Sequence, residues 1–449
     1  MKLTSHPATR PLSGTVHVPG DKSIGHRALL FSLLSETPVR VRGLGDGADN
    51  GRSAKAIAQL GATIARDPSE RGTLVIRGTG LDKMHAPGEP IDCGNSGTTI
   101  RLLCGLLAGH PFTTTLVGDA SLSGRPMMRV IDPLRAMGAV IEGTPRGDEI
   151  VPPLHVGPAG APLRPIDRSL EIASAQVKTA LVLAGLYADG ETRITEPGPS
   201  RDHTERMLAY LGAPIYSKGR TVSVDTRSWG RRLAGQGFAV PGDPSSSAFL
   251  VAAGVIAGAH GEGVRLPGVC INPTRTGFLD AIAQMGGVVE LEDRDDSGPE
   301  PTATLVVRGA ARELRATEIA GDLAVRSIDE LPVLAVIAAR ARGTTHVRDA
   351  SELRVKESDR IATTCAMLRA FGITCEARPD GFSVEGNPDR PLSAAHVHAD
   401  ADHRIAMAAA VGALVADGPT QIDDADNVAT SYPGFAAALT ALGGRVEAG

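Results

Sequence analysis

Lys22, Ser23 and Arg27 follow a Pro-Gly-Asp turn at residues 19–21 and stand before the apolar run 28–34. A cation and a hydroxyl at a helix start share that place with free backbone N–H groups and the positive end of the helix dipole, which suits an anion. The same residues also read as a Ser23 cap beside a solvated Lys22. A nucleoside-triphosphate loop does not fit. Its G-x-x-x-x-G-K-[ST] pattern needs glycine directly before lysine, and here Asp21 separates Gly20 from Lys22.

The same design recurs along the chain. "DCGNSGTTIRLL" sets Asn95 and Gly97 before an apolar helix, with Gly97 allowing close backbone approach to a ligand. "GDASLSGRPM" carries Arg125 in a Gly/Ser loop, either solvated or gripping a carboxylate or phosphate by its fork. "EIASAQVKTALVLAGL" opens with Ser174, Ala175 and Gln176, and "PSRDHTERM" offers Ser200, Arg201 and His203.

Acids enter in the second half. Asp329 and Glu330 precede the apolar run of "RSIDELPVLAVIAA", where first-turn acids also serve as dipole-favoured caps. "ELRVKESDRI" crowds Arg354, Lys356, Glu357, Asp359 and Arg360 together, which alone reads as a solvated charged face. "HVHADADHRIAMAAA" superficially offers metal ligands in His396, His398, Asp400, Asp402 and His403, but no metal is expected.

The elements that must position these groups are legible as repeats. Six segments end a helix-like stretch in a glycine followed by a strand-like start, at Gly61, Gly138, Gly212, Gly286, Gly372 and Gly443. Their spacings are 77, 74, 74, 86 and 71 residues. Glycine after a helix takes positive φ and lets the chain reverse. A larger repeat sets "VPGDKS" at Val18 against "VPGDPSS" at Val240, 222 residues on, so each half holds three α/β units. The expected domains are residues 21–240, and 1–20 with 241–449, the short strand "GTVHVP" joining a sheet of the second. The acidic stretch "EDRDDSGPEPTAT" is expected to be a solvated hairpin extension that accounts for the 86-residue spacing.

Composition narrows the partners. The 449 residues carry a net charge of -5 and only 3% aromatics, unlike a surface built for phosphate backbones or stacked bases. No nucleic-acid partner is expected. No apolar run approaches the roughly 20 residues needed to span a bilayer, and residues 1–14 lack an export pattern. Five scattered cysteines without a C-x-x-C pair fit a reducing compartment, so a cytoplasmic protein is expected. Cations gathered at helix starts in an acidic chain suit small, multiply anionic ligands.

Taken together, "PGDKSIGHR", "GNSGTTIR", "GDASLSGRPM", "ASAQVKTALVLAGL", "PGDPSSSAF", "ELRVKESDRI", "DHRIAMA" and "ATSYPGF" resemble the 5-enolpyruvylshikimate-3-phosphate synthase family, collinearly from residue 19 to about 435. The resemblance implies an α/β (α+β) fold of two domains, each with three βαβαββ repeats and helix N-termini facing an inter-domain cleft. It implies transfer of the enolpyruvyl group of phosphoenolpyruvate to the 5-hydroxyl of shikimate 3-phosphate, in the shikimate pathway to chorismate and aromatic amino acids, without a cofactor. Lys22, Ser23, Arg27, Ser174, Ala175, Gln176, Arg201, Asp329 and Lys356 would hold shikimate 3-phosphate. Lys22, Asn95, Gly97, Arg125, Gln176, Arg360 and Arg404 would hold phosphoenolpyruvate. Asp329 would accept the 5-hydroxyl proton, and Glu357 with Lys22 would handle protons at the methylene carbon. Closure about hinges near residues 20 and 240, a monomer, and inhibition by glyphosate through the small residue Gly97 are also implied.

Two positions depart from that family's pattern: Gly25 where serine is usual, and Thr430 where many members carry a lysine on phosphoenolpyruvate. The other readings are the related UDP-N-acetylglucosamine enolpyruvyl transferase and a non-catalytic anion-binding protein of the same fold. The former typically has Lys-Asn at residues 22–23 and a reactive cysteine near Arg125, both missing here. Lys22, Asp329 and Glu357, all present, speak against the latter.

Overall fold

All six glycines that end the repeats have positive φ, at 108° (Gly61), 99° (Gly138), 84° (Gly212), 88° (Gly286), 77° (Gly372) and 107° (Gly443). Each follows the last residues of a helix, so the sixfold pattern is one of helix C-termini reversing into strands. The computed structural model describes residues 1–309 and 313–449. They form two compact units. One holds residues 20–240 with 297–300; the other holds 1–19, 241–296 and the chain from 301 onward.

Among the described residues each unit contains three four-stranded sheets of one topology. In the N-terminal-half unit, Val39–Arg42 runs parallel to Phe238–Ala239 and antiparallel to Leu74–Arg77, which pairs in turn with Thr63–Arg66. The alternation of buried Val39 and Val41 with exposed Arg40 and Arg42 is what a half-buried strand requires. Residues from far along the chain complete several sheets. Phe238–Ala239 closes the first, Gly14–Thr15 joins Val264–Cys270, and Leu3–His6 lies between Thr420–Asp423 and Arg445–Ala448.

Three helices of the N-terminal-half unit, Lys22–Leu33, Gly97–Leu107 and Ala175–Gly185, are buried nearly all round, as their apolar sequences require. The other unit repeats this with Pro244–Ala257, Leu331–Ala339 and His403–Ala413. Backbones approach closely: a Cβ on Gly105 would fall 2.0 Å from the Ala180 carbonyl oxygen, so only glycine fits where Gly97–Leu107 crosses Ala175–Gly185. That crossing aligns the starts of two helices that carry candidate ligand groups.

Both V-P-G-D turns are helix caps. Asp21 accepts from the Ile24 N–H at 2.8 Å, and Asp243 from the Ser245 N–H at 2.9 Å. The cap of the first helix is therefore Asp21, and Ser23 lies inside the first turn. Gly25 has a steric reason. A Cβ there would meet Asn50 Nδ2 at 2.6 Å and Leu44 Cδ1 at 2.9 Å, so a buried Asn50 fills the space a serine would take. The acidic extension differs from its solvated reading at one end. Glu300 is buried and lies 2.7 Å from Nδ1 of buried His203, because four residues of the extension belong to the N-terminal-half unit.

Candidate active site

In the N-terminal-half unit the expected ligand groups sit at or near the starts of buried helices. Lys22, the first residue of its helix, is half exposed, with Nζ 3.1 Å from an Asp49 carboxylate oxygen. Arg27, one turn on, is buried: Nε donates to Thr204 Oγ1 at 2.7 Å, one Nη to Thr179 Oγ1 at 2.9 Å, and the other to the Ser23 carbonyl at 3.0 Å. Burial is the largest influence on its guanidinium, which is lowered to about 10 despite the nearby Glu205 carboxylate. Arg27 thus joins three helices and holds the first turn that presents Lys22 and Ser23.

Around Gly97 two guanidiniums converge. A Cβ on Gly97 would lie 2.9 Å from Arg101 Nη1 and 3.1 Å from Arg125 Nη1. Arg125 donates to Asn95 Oδ1, and Arg101 donates to Gln176 Oε1 at 2.7 Å. Gln176 in turn donates to Thr98 Oγ1 at 2.9 Å, so the amide is oriented from both ends. Burial, then the neighbouring Arg125, lowers the Arg101 pKa. Ser174 caps its helix by accepting from the Val177 N–H, with Ala175 the first helical residue. Arg201 lies half-buried just ahead of helix His203–Tyr210.

The C-terminal-half unit gathers acids and cations on one cluster. Asp329 Oδ1 lies 3.4 Å from Lys356 Nζ and 3.3 Å from Arg360 Nη1, and its backbone carbonyl accepts from Arg404 at 2.8 Å. Arg360 is 1% exposed and also donates to Asp402 at 2.7 Å and to Glu357. Asp402, fully buried, doubles as the cap of helix His403–Ala413, accepting from the Arg404 N–H at 2.9 Å. Burial pushes Glu357 upward, but the Arg360 and Arg404 guanidiniums outweigh it and hold its carboxyl below the ordinary range. Glu330, buried against Ser245, is pushed up by burial. Burial, reinforced by Arg404, lowers His403 to about 3, so its ring is neutral.

The expected residues therefore fall into two sets, one in each unit. Asp329, Lys356, Glu357, Arg360 and Arg404 come together in one; Lys22, Ser23, Arg27, Asn95, Gly97, Arg125, Ser174, Ala175, Gln176 and Arg201 belong to the other. Sequence reasoning passed over Arg101, Asp402 and His403 as partners of these groups. Arg101 had a signal: it is one turn from Gly97, on the same helix face. Thr430 is exposed, its hydroxyl donating to the Asn427 carbonyl at 2.7 Å. His396, His398 and Asp423 bring ligand atoms within 4.8 Å of one another, yet Lys2 Nζ lies 3.1 Å from Asp423 and already partners it. Asp402 and His403 go elsewhere, to Arg360 and its surroundings.

A cation-rich set of helix starts and an acid–cation cluster, carried on six like sheets, suit a transferase acting on small anions, and the fold is that of enolpyruvyl transferases. Its likeness to the enolpyruvyl transferase NikO from Streptomyces tendae, at a TM-score of 0.76 and 20% identity over 99% of this chain and 98% of that one, is a likeness of fold. The chain belongs to the family described as EPSP synthase (3-phosphoshikimate 1-carboxyvinyltransferase), whose profile matches residues 7–439. It is 48% identical to the 3-phosphoshikimate 1-carboxyvinyltransferase of Alkalilimnicola ehrlichii, over 94% of this chain and 92% of that one. The protein of that name from Geobacter sulfurreducens is 46% identical, over 98% of each chain. An EPSP synthase structure from Acinetobacter baumannii superposes with a TM-score of 0.90 at 38% identity, covering 100% of this chain and 99% of that one.

Proposed function

We propose that this chain transfers the enolpyruvyl group of phosphoenolpyruvate to the 5-hydroxyl of shikimate 3-phosphate, giving 5-enolpyruvylshikimate 3-phosphate and phosphate. The observation that carries the assignment of roles is Asp329, a carboxylate held between Lys356 and Arg360 beside a second acid, Glu357, on the same guanidinium. In addition, the 5-oxygen bonds to C2 of phosphoenolpyruvate as its proton passes to Asp329, while Glu357, assisted by Lys22, handles the proton that C3 takes. In elimination, C3 gives a proton back and the C2–phosphate bond breaks, releasing phosphate. Fixed cations suit this chemistry because charge on two phosphates and two carboxylates must be balanced where water is scarce.

Shikimate 3-phosphate is held by Lys22, Ser23, Arg27, Ser174, Ala175, Gln176, Arg201, Asp329 and Lys356 in this reading. Phosphoenolpyruvate takes Lys22, Asn95, Gly97, Arg125, Gln176, Arg360 and Arg404. Arg101, which orients Gln176, supports both. We further propose glyphosate inhibition, since Gly97 leaves the space before Arg101 and Arg125 unfilled. A monomer working in the cytoplasm follows from the family resemblance, and the five scattered, buried cysteines are consistent with that compartment.

The test is phosphate release from phosphoenolpyruvate by the purified protein, with shikimate 3-phosphate or with UDP-N-acetylglucosamine as acceptor. Release is expected with the first alone. Release with the nucleotide sugar alone, or with neither, overturns the reading.

A further inference from the structure

Lys178 lies in the apolar helix Ala175–Gly185 and is 2% exposed. Its Nζ is 2.8 Å from Glu196 Oε2 and 2.7 Å from Glu205 Oε1, both carboxylates being buried too. A buried ammonium is costly unless its charge and donors are matched, and two carboxylates meet that need. The segments "ASAQVK" and "RDHTE" therefore meet in space as an ion pair.

The cluster touches the half-site through two routes. Glu196 accepts from the Ser174 N–H at 3.1 Å and from Ser200 Oγ at 2.8 Å, fixing the backbone beside Ala175 and Arg201. Thr179 and Thr204, the neighbours of Lys178 and Glu205, hydrogen-bond each other at 2.6 Å and accept from Arg27. Arg27, Lys178, Glu196 and Glu205 sum to zero charge. Among the described residues Glu205 Oε2 has no hydrogen-bond partner, and Lys178 and the nearby Arg27 carry its compensation.

We propose that Lys178 is a positioning residue for shikimate 3-phosphate: it neutralises two buried carboxylates behind the helix starts and so keeps that half-site receptive to a dianion. Without it, the four-residue cluster carries a net negative charge directly behind Ser174, Ala175 and Arg201. The effect is electrostatic and one-sided, acting on the phosphate-bearing acceptor more than on phosphoenolpyruvate. It rests on the assignment of shikimate 3-phosphate to this half-site.

The experiment measures shikimate 3-phosphate binding by calorimetry and both KM values in full-length Lys178→Met, Lys178→Arg and Glu205→Gln. Lys178→Met is expected to weaken shikimate 3-phosphate binding about tenfold or more, with KM for phosphoenolpyruvate within about twofold, and Lys178→Arg to restore most of the loss. The Lys178→Met/Glu205→Gln double variant, neutral again, is expected to bind more tightly than Lys178→Met even where it is less stable. If Lys178→Met does not fold, Glu205→Gln alone decides: one negative charge fewer should tighten binding, and weaker binding overturns the proposal. Unchanged binding in folded Lys178→Met, or equal loss for both substrates, also overturns it. Absence of shikimate 3-phosphate binding by the unsubstituted protein would instead overturn the assignment of the half-site.

Discussion

Asp329 Oδ1 and Arg360 Nη1 lie 3.3 Å apart, and the guanidinium that makes this contact is shared with Asp402 and Glu357. One side chain, almost fully buried, thus sets the positions of two candidate acids. Its own position is set from below by Asp402, which simultaneously caps the helix carrying Arg404.

Asp402 should therefore matter more to stability than to substrate contact. Asp402→Ala removes a buried partner of Arg360 and a helix cap together, and a loss of about 3–5 kcal/mol is expected. Urea unfolding of the variant checks this, and Asp402→Asn, which can still cap, should lose less.

Gly97→Ala places a methyl 2.9 Å from Arg101 Nη1 and 3.1 Å from Arg125 Nη1, so a guanidinium must move. The expected outcome is a higher KM for phosphoenolpyruvate with a smaller change for shikimate 3-phosphate. The concentration of glyphosate giving half inhibition should rise further than KM does. Steady-state kinetics with both substrates varied would show it.

Gly25 and Asn50 should behave as a coupled pair. Gly25→Ser brings Cβ to 2.6 Å from Asn50 Nδ2, and destabilisation is expected. Asn50→Ala should recover part of that loss, with a coupling of about 0.5–3 kcal/mol in a double-mutant cycle. Additive effects would show that the two side chains do not compete for one space.

Acid sensitivity has a definite sign. Burial, then Lys22, lowers His26 to about 3, and its ring packs with Nδ1 2.8 Å from Ser53 Oγ. In the unfolded chain the ring binds a proton near the ordinary value of 6.5. Between those values the unfolded state holds more protons, so stability falls as pH drops from 6.5 toward 3. His26→Gln should flatten that slope by up to about 1.4 kcal/mol per pH unit. Denaturant midpoints at several pH values measure it.

Much of this architecture is written in short-range chemistry. A glycine that must take positive φ after a helix leaves the same mark six times, and the V-P-G-D turns mark two helix caps. The cation-bearing helix starts were legible for the same reason, since small polar residues before an apolar run are a local pattern. Pairings across helices were not. No local pattern pairs Lys178 with Glu205, and only the fold brings their side chains to 2.7 Å. Glu300 looked like part of a solvated loop until tertiary structure carried it onto His203. The Asn50 side chain that accounts for Gly25 is likewise a neighbour in space and not in sequence.

The most direct measurement is single-turnover chemistry in Asp329→Ala, alongside calorimetric binding of both substrates. The variant is expected to bind phosphoenolpyruvate and shikimate 3-phosphate within about tenfold of the unsubstituted protein while turnover falls by about 10²–10⁴, the range for loss of a general base. Near-normal turnover by a correctly folded Asp329→Ala would contradict the role given to this carboxylate.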